Sequence, residues 1–225
     1  MSATSRTLLL ATLLASGLWP ATPARAQVQP ADVITVATVS GSSDAVVDVP
    51  VYIRDTAGTP LGIDQPPGSR VQSYSIRVTY APGAAVQAIT FTRAGITLPL
   101  TPTFESSPAV PGSSIALLGN FDEATNLIPF TSNAPLPGDQ VAHLLVTLSP
   151  SVAPGTVITL TLDPALTQLT DEGGTPLATE SVANGRLRLV SGAIAVPSPV
   201  PALSTWMLAL LAASLAVVAV SVRIQ

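Results

Sequence analysis

The ten residues AVVDVPVYIR, positions 45–54, alternate: Val47, Val49, Val51 and Ile53 fall on one side of an extended chain, and the residues between them on the other. The stretch QSYSIRVTY, 72–80, does the same, with Tyr74, Ile76, Val78 and Tyr80 on one face and Ser73, Ser75, Arg77 and Thr79 on the other. A period of two with one apolar face is the signature of a half-buried β-strand. Pro50 lacks an N–H for the ladder, so the first strand is expected at an edge or bulge there.

Outward from these two, further runs follow the same rule. They are Val33 to Val39, Val86 to Thr92 with Ile89 and Phe91 on one face, and Ser113 to Leu118. Next come Gln140 to Leu148 with Ala142, Leu144, Val146 and Leu148 aligned, and Thr156 to Leu162 with Ile158, Leu160 and Leu162 aligned. Arg186 to Val190, carrying Leu187 and Leu189, closes the series. Fifteen Gly and 22 Pro punctuate the chain, and no long window between its ends keeps a 3.6-residue apolar period. The middle is therefore expected to be an all-β sandwich of eight or nine strands in two sheets. Two Gly/Pro-rich loops stand out as places for binding, TAGTPLGIDQPPGS (56–69) and LPLTPTFESSPAVPG (98–112), although a solvated connection is the plainer reading of each.

The two ends read as addresses. Arg6, the apolar run Leu8 to Leu18 and Ala24-Arg25-Ala26 form a positive end, a short hydrophobic core and a small-x-small cleavage site. That is a secretory signal peptide over 1–26, cut after Ala26. At the other end, residues 195–202 form a Pro-rich linker, 203–222 are apolar and long enough for one helical span, and 223–225 are a short tail with Arg223. A basic residue beyond a span favours the cytoplasmic side. The domain between, 27–194, is then exported.

Composition limits what that domain does. The chain has no Cys and no Lys, and only 10% of it is charged. Between Gln27 and Val196 six Arg face thirteen acidic residues, a net charge of −7. Nucleic acid is excluded as a partner on that ground, since phosphates need basic neutralisation. The single His, His143, sits opposite the apolar face of its strand, with no G-x-S-x-G motif and no catalytic Cys in the chain. No catalytic residue is assigned and no enzyme activity is expected. A glycosidase needs two carboxylates held about 5 to 10 Å apart across a cleft, and the acids here fall mostly in turns. Both Trp lie in the ends, at 19 and 206, and Tyr74 and Tyr80 share a core face, so a stacking platform for sugars is poorly supplied. One His and no Cys exclude the usual transition-metal sets. No cofactor is expected, with calcium the one metal left open because it needs only oxygens. Asp171-Glu172-Gly173-Gly174 and Asp122-Glu123 are the places for it, although acidic turns are ordinarily only solvated.

Two resemblances add to this reading. Val200-Pro201-Ala202-Leu203-Ser204-Thr205-Trp206-Met207, followed by the apolar span and a terminal Arg, resembles the IPTL-CTERM sorting tail, a relative of PEP-CTERM found in Gram-negative bacteria. Its pattern is I-P-T-L-x-x-W-G, a hydrophobic helix and an Arg-rich end. Val200, Ala202 and Met207 stand where the pattern has Ile, Thr and Gly. The resemblance implies an exosortase-type peptidase as processing partner, with Val200, Pro201, Ala202, Leu203 and Trp206 as the sorting motif. It also implies a precursor tethered to the inner membrane by the helix and then moved to the cell surface or beyond. A plain anchor with an interfacial Trp is the alternative.

The domain itself resembles the cohesin family. The motifs are Val47-Asp48-Val49-Pro50-Val51-Tyr52-Ile53, Val78-Thr79-Tyr80-Ala81-Pro82, the strand after Gly138, Gly155-Thr156-Val157-Ile158-Thr159-Leu160, Asp171-Glu172-Gly173-Gly174-Thr175-Pro176-Leu177, and Asn184-Gly185-Arg186-Leu187. Together they span roughly 33 to 190. The resemblance implies a jelly-roll-like sandwich of about nine strands and a protein-binding role. A carbohydrate-binding or adhesive module of an extracellular polysaccharide is the alternative.

The address reading is tested by the intact mass of the protein from native cells. The expected mass starts at Gln27 and lacks everything after about Pro201. A mass retaining the span through Gln225 would contradict sorting.

Overall fold

The computed structural model describes residues 29–180 and 185–198. The signal peptide with Ala24 and Ala26, Asn184, and the sorting motif at Val200, Pro201, Ala202, Leu203 and Trp206 with its helix lie outside them. No helix of the described residues is long and apolar enough to cross a membrane.

In chain order the strands begin with β1 (Asp32–Val36), β2 (Thr38–Ser40), β3 (Val46–Arg54), β4 (Ser73–Ala81), β5 (Val86–Arg93), β6 (Phe104–Ser106) and β7 (Ala109–Val110). They continue with β8 (Ser114–Asn120), β9 (Asp139–Leu148), β10 (Val157–Leu162), β11 (Gln168–Thr170), β12 (Pro176–Leu177), β13 (Leu187–Val190) and β14 (Gly192–Ala195). One helical turn, α1 (Glu123–Asn126), follows β8. A five-stranded sheet runs β13-β1-β3-β9-β5. A nine-stranded sheet runs β12-β11-β4-β10-β14-β2, with β8 on the other side of β4 and carrying β6 and β7. The architecture is the expected two-sheet sandwich.

The alternating residues meet between the sheets. Val49, Val51, Ile53, Ala142, Leu144, Val146 and Leu148 come from the smaller sheet, and Ile76, Val78, Ile158 and Leu160 from the larger, all fully buried. Tyr74 and Tyr80 are buried with them, and Tyr74 packs against Phe121 with ring centroids 5.9 Å apart. The core is therefore aliphatic, with a few aromatic rings near its ends.

Three features differ from the sequence reading. The expected strand 33–39 is two strands in two sheets: β1 pairs β3 and β13, and after Ala37 the chain crosses over as β2 beside β14. Leu187 to Val190 is not the last strand, because β14 follows and pairs with β10 and β2. Ala195 belongs to that strand and Val196 is buried, so the sandwich takes in the first two residues read as linker. Finally, the described residues hold fourteen strand segments where about nine were expected. The additional ones, such as β6, β7, β11 and β12, are two or three residues long, too short to show a period.

Pro50 lies in the middle of the sheet, between β1 and β9, yet at a local edge. Its carbonyl points to the β1 side, where it accepts from the Ala37 N–H, at the point where β1 leaves for the other sheet. The missing N–H lies on that same side, so β3 cannot return the bond to Ala37 just where the β1 pairing ends. A register shift follows at Val51/Tyr52, so of the edge or bulge expected at Pro50 it is the bulge that the structure has, on an interior strand.

The crossing is closed by β13 and β14, which follow the same route from one sheet to the other, parallel to β1 and β2. Gly192 sits at the crossing. A Cβ there would run into the carbonyl oxygens of Val36 and Ala37, and backbone cannot swing aside as a side chain can. Gly192→Ala is expected to cost about 2 kcal/mol through overpacking. Gly173→Ala, whose Cβ would make only ordinary contact, is expected to stay within about 0.5 kcal/mol. Urea unfolding of both variants checks this.

Candidate functional site

Without disulfides, the long loops are held by single polar side chains. The loop 98–112 is gathered by Arg93, which donates to Thr97 O (2.6 Å), Leu100 O (2.9 Å) and the Glu105 carboxylate (2.9 Å). Its middle adds β6 and β7 to β8. Leu98, Phe104 and Val110 remain exposed on it.

The loop 56–69 is held by carboxylates. Asp32, fully buried in β1, accepts from the Thr56 N–H at 2.8 Å and the Thr59 hydroxyl at 3.2 Å. Asp55 accepts from the Ile63 N–H at 2.7 Å, and Asp64 from the Gly58 N–H at 3.1 Å. Asn133 ties the neighbouring loop on, donating its N–H to Asp55 O and accepting from the Ala57 N–H at 3.0 Å. Burial raises the Asp32 carboxyl from 3.8 to about 7; the Thr56 N–H pulls it down, and the charges of Asp55 and Asp64 add to the rise. Asp55 is also raised, by burial first, against the Ile63 N–H, with Asp64 and Asp139 adding repulsion. Sequence reading missed this cluster. Asp32 and Asp55 stand at strand ends, where an acid reads as the start of a turn. The one available signal was an Asp opening the otherwise apolar run DVITV.

The acids singled out from sequence are engaged elsewhere. Asp122 caps α1, accepting from the Ala124 N–H and the Thr125 hydroxyl. Glu123 pairs with Arg70 at 3.2 Å and accepts from the Gly68 N–H. Asp171 accepts from the Thr175 N–H at 2.7 Å and so closes its own turn. Among the described residues no three His, Cys, Asp or Glu side chains are disposed together as a metal-binding group. His143 projects from the outer face of β9 and meets Asp48 at 3.2 Å. Thr92 is its register partner on β5, but no hydrogen bond joins the hydroxyl to the ring.

That outer face is a second candidate surface. Val46, Asp48, Pro50 and Tyr52 of β3 stand beside His143, Leu145 and Thr147 of β9, which stand beside Ala88, Thr90 and Thr92 of β5. None is fully buried, and Val46 is 64% exposed. Asp48, His143 and Tyr52 are the ionisable groups of this patch, and Arg54 and Arg188 lie further along the same face. A flat, weakly charged sheet face with a small polar centre is suited to docking another macromolecule. On the opposite sheet, a shallow groove runs between Phe104 and the polar side chains of Ser73, Ser75, Asn120, Gln168 and Thr170.

The Asp32 geometry has a pH consequence. A carboxyl whose folded pKa lies above its unfolded value keeps its proton longer in the folded state. Stability is then lost as pH rises from about 4 through 7 and levels off beyond, by up to about 4 kcal/mol. In chelator-treated buffer, urea unfolding from pH 4 to 8 is expected to show this fall. Asp32→Asn, which cannot ionise, should flatten most of it.

No protein-family model matches the chain, and no curated protein matches it. Solved structures do. The sixth cohesin of scaffoldin B from Acetivibrio cellulolyticus, solved with a Cel5 dockerin, is 15% identical; the match covers 74% of this chain and 99% of that one, with a TM-score of 0.52. The OlpA cohesin from Clostridium thermocellum, solved with the dockerin Doc918, is 14% identical over 74% and 99%, with a TM-score of 0.51. The cohesin CaCohA2 from Clostridium acetobutylicum is 20% identical over 77% and 95%, with a TM-score of 0.50. The described domain has the fold of the cohesin domains.

Proposed function

We propose that the chain is an exported, non-enzymatic surface or matrix protein whose sandwich binds a protein partner. The cohesin fold carries this reading, because two of the matched cohesins were solved with dockerin partners. The outer face of the five-stranded sheet supports it. Its patch of β3, β9 and β5 carries few charges, and its residues come from two interior strands and the long edge strand β5 rather than from loops. In this reading Leu145, Val46 and Pro50 supply apolar contact, and the Asp48–His143 pair fixes orientation. The ends complete the proposal: export by the signal at 1–26, tethering by the helix at 203–222, and processing by an exosortase-type peptidase at the motif around Pro201.

A second reading, binding of a matrix polysaccharide, is favoured by one observation: the Phe104 groove, where an exposed ring lies among amide and hydroxyl groups. Against it, Tyr74, Tyr80, Phe91, Phe121 and Phe130 are all buried, which leaves no row of rings for stacking.

The two readings part in one experiment. The immobilised chain is challenged with a panel of dockerin domains and with extracellular polysaccharide. Dockerin binding weakened at least tenfold by Leu145→Arg, and untouched by Phe104→Ala, is the expected result. Retention on polysaccharide that is lost with Phe104→Ala, and no dockerin binding, would overturn the protein-partner reading.

A further inference from the structure

The base of the 56–69 loop has one unusual feature. Asp55 is 1% exposed, and while its Oδ2 accepts from Ile63, its Oδ1 is buried without any hydrogen-bond partner. A bare carboxylate oxygen away from water is costly unless something positive meets it. Oδ1 points over Gly62, where a Cβ would lie 3.1 Å from it, 3.2 Å from Thr59 Oγ1 and in collision with Asp64 Oδ1. Three oxygens from three residues thus gather around the place a Gly62 side chain would take, with Asp64 Oδ1 lying in it.

The surrounding charge is one-sided. Asp32 bonds to Thr59, and Asp139 is close enough to Asp55 to repel it. Arg54, next to Asp55 in the chain, donates to Ala134 O and Thr56 Oγ1, not to a carboxylate. Among the described residues the ion pairs involve Arg70, Arg93, His143 and Arg188, none of them with these four Asp. Asp64 is exposed, so the pocket has a route to solvent through that side.

We propose that Asp55, Asp64 and Thr59, gathered over Gly62, form a binding site for a calcium ion that fixes the 56–69 loop to the end of β3. The donors are all hard oxygens, with no nitrogen or sulfur among them. Two carboxylates and a hydroxyl leave room for waters on the open side, which suits a cation that tolerates irregular coordination. Magnesium, which demands near-octahedral geometry at shorter distances, fits this set less well. The site is distinct from Asp122, whose two oxygens accept from the Ala124 N–H and the Thr125 hydroxyl, and from Asp171, which closes its own turn through the Thr175 N–H.

The test uses the full chain, stripped with chelator and titrated calorimetrically with CaCl2, alongside thermal unfolding. One ion per chain and a rise in Tm of about 5 °C or more at 1 mM CaCl2 are expected, with a smaller rise at 1 mM MgCl2. Asp64→Asn alters an exposed residue and should fold, yet weaken binding at least tenfold. Asp55→Asn should abolish binding, with its own folding checked by circular dichroism. Asp44→Asn, an exposed acid in the turn before β3, should bind as the parent does. No heat and no Tm change up to 10 mM CaCl2 would overturn the proposal. So would binding that survives Asp64→Asn and is lost with Asp122→Asn or Asp171→Asn.

Discussion

The sandwich depends on a crossing. β1 and β2 are one stretch of chain that serves both sheets, and β13 and β14 are a second stretch that follows it in parallel. Every other long strand stays within its own sheet. The two crossing segments hold the layers together along one side in a protein with no Cys to staple them. Gly192 is what allows them to approach so closely, and Pro50 sits where β3 loses its β1 neighbour at the same crossing. Burial of Val36, Leu187, Ile194 and Val196 along this seam adds apolar stabilisation to the backbone pairing.

With the layers fixed, the rest of the molecule is a division of labour. Inward residues fill an aliphatic core. Outward residues of the five-stranded sheet form a flat face built on β3 and β9, the two longest pairing partners. The loops, which carry most of the acids, are tied back by individual side chains: Arg93 for 98–112, and the Asp32, Asp55 and Asp64 carboxylates for 56–69. The ties fall at opposite kinds of charge for a physical reason. Arg93 reaches backbone carbonyls, whereas the aspartates gather backbone N–H groups, and each loop presents the kind it must satisfy.

Much of the fold was legible in the sequence because a half-buried strand writes itself as a period of two. Val47 to Ile53, Tyr74 to Tyr80 and Ala142 to Leu148 all point where the alternation placed them. The change of sheet at Ala37 was not legible, since an extended chain that changes partners keeps its alternation. Nor were β6 and β7, brought to an edge by the Pro-rich 98–112 loop, or β12, brought back on β11 by the 171–175 turn, since two or three residues show no period. The candidate sites were read unevenly. His143 lies on the outer face, as its parity implied, and the 56–69 loop was marked by its Gly and Pro. The carboxylate cluster beneath that loop was missed: beyond the Asp that opens DVITV nothing marked it, because Asp32 joins Asp55 and Asp64 only after β1 and β3 pair. Asp122 and Asp171 looked equally suitable as ligands until their backbone partners were in view.

The crossing is tested most directly by native-state hydrogen exchange of the full chain. If the two parallel segments close the sandwich, amides of 32–40 and 187–196 that bond across the seam exchange as slowly as those of β9, by global unfolding. Exchange of those segments at the rate of the 98–112 loop, with β9 still protected, would contradict the account and leave the sheets held by core packing alone.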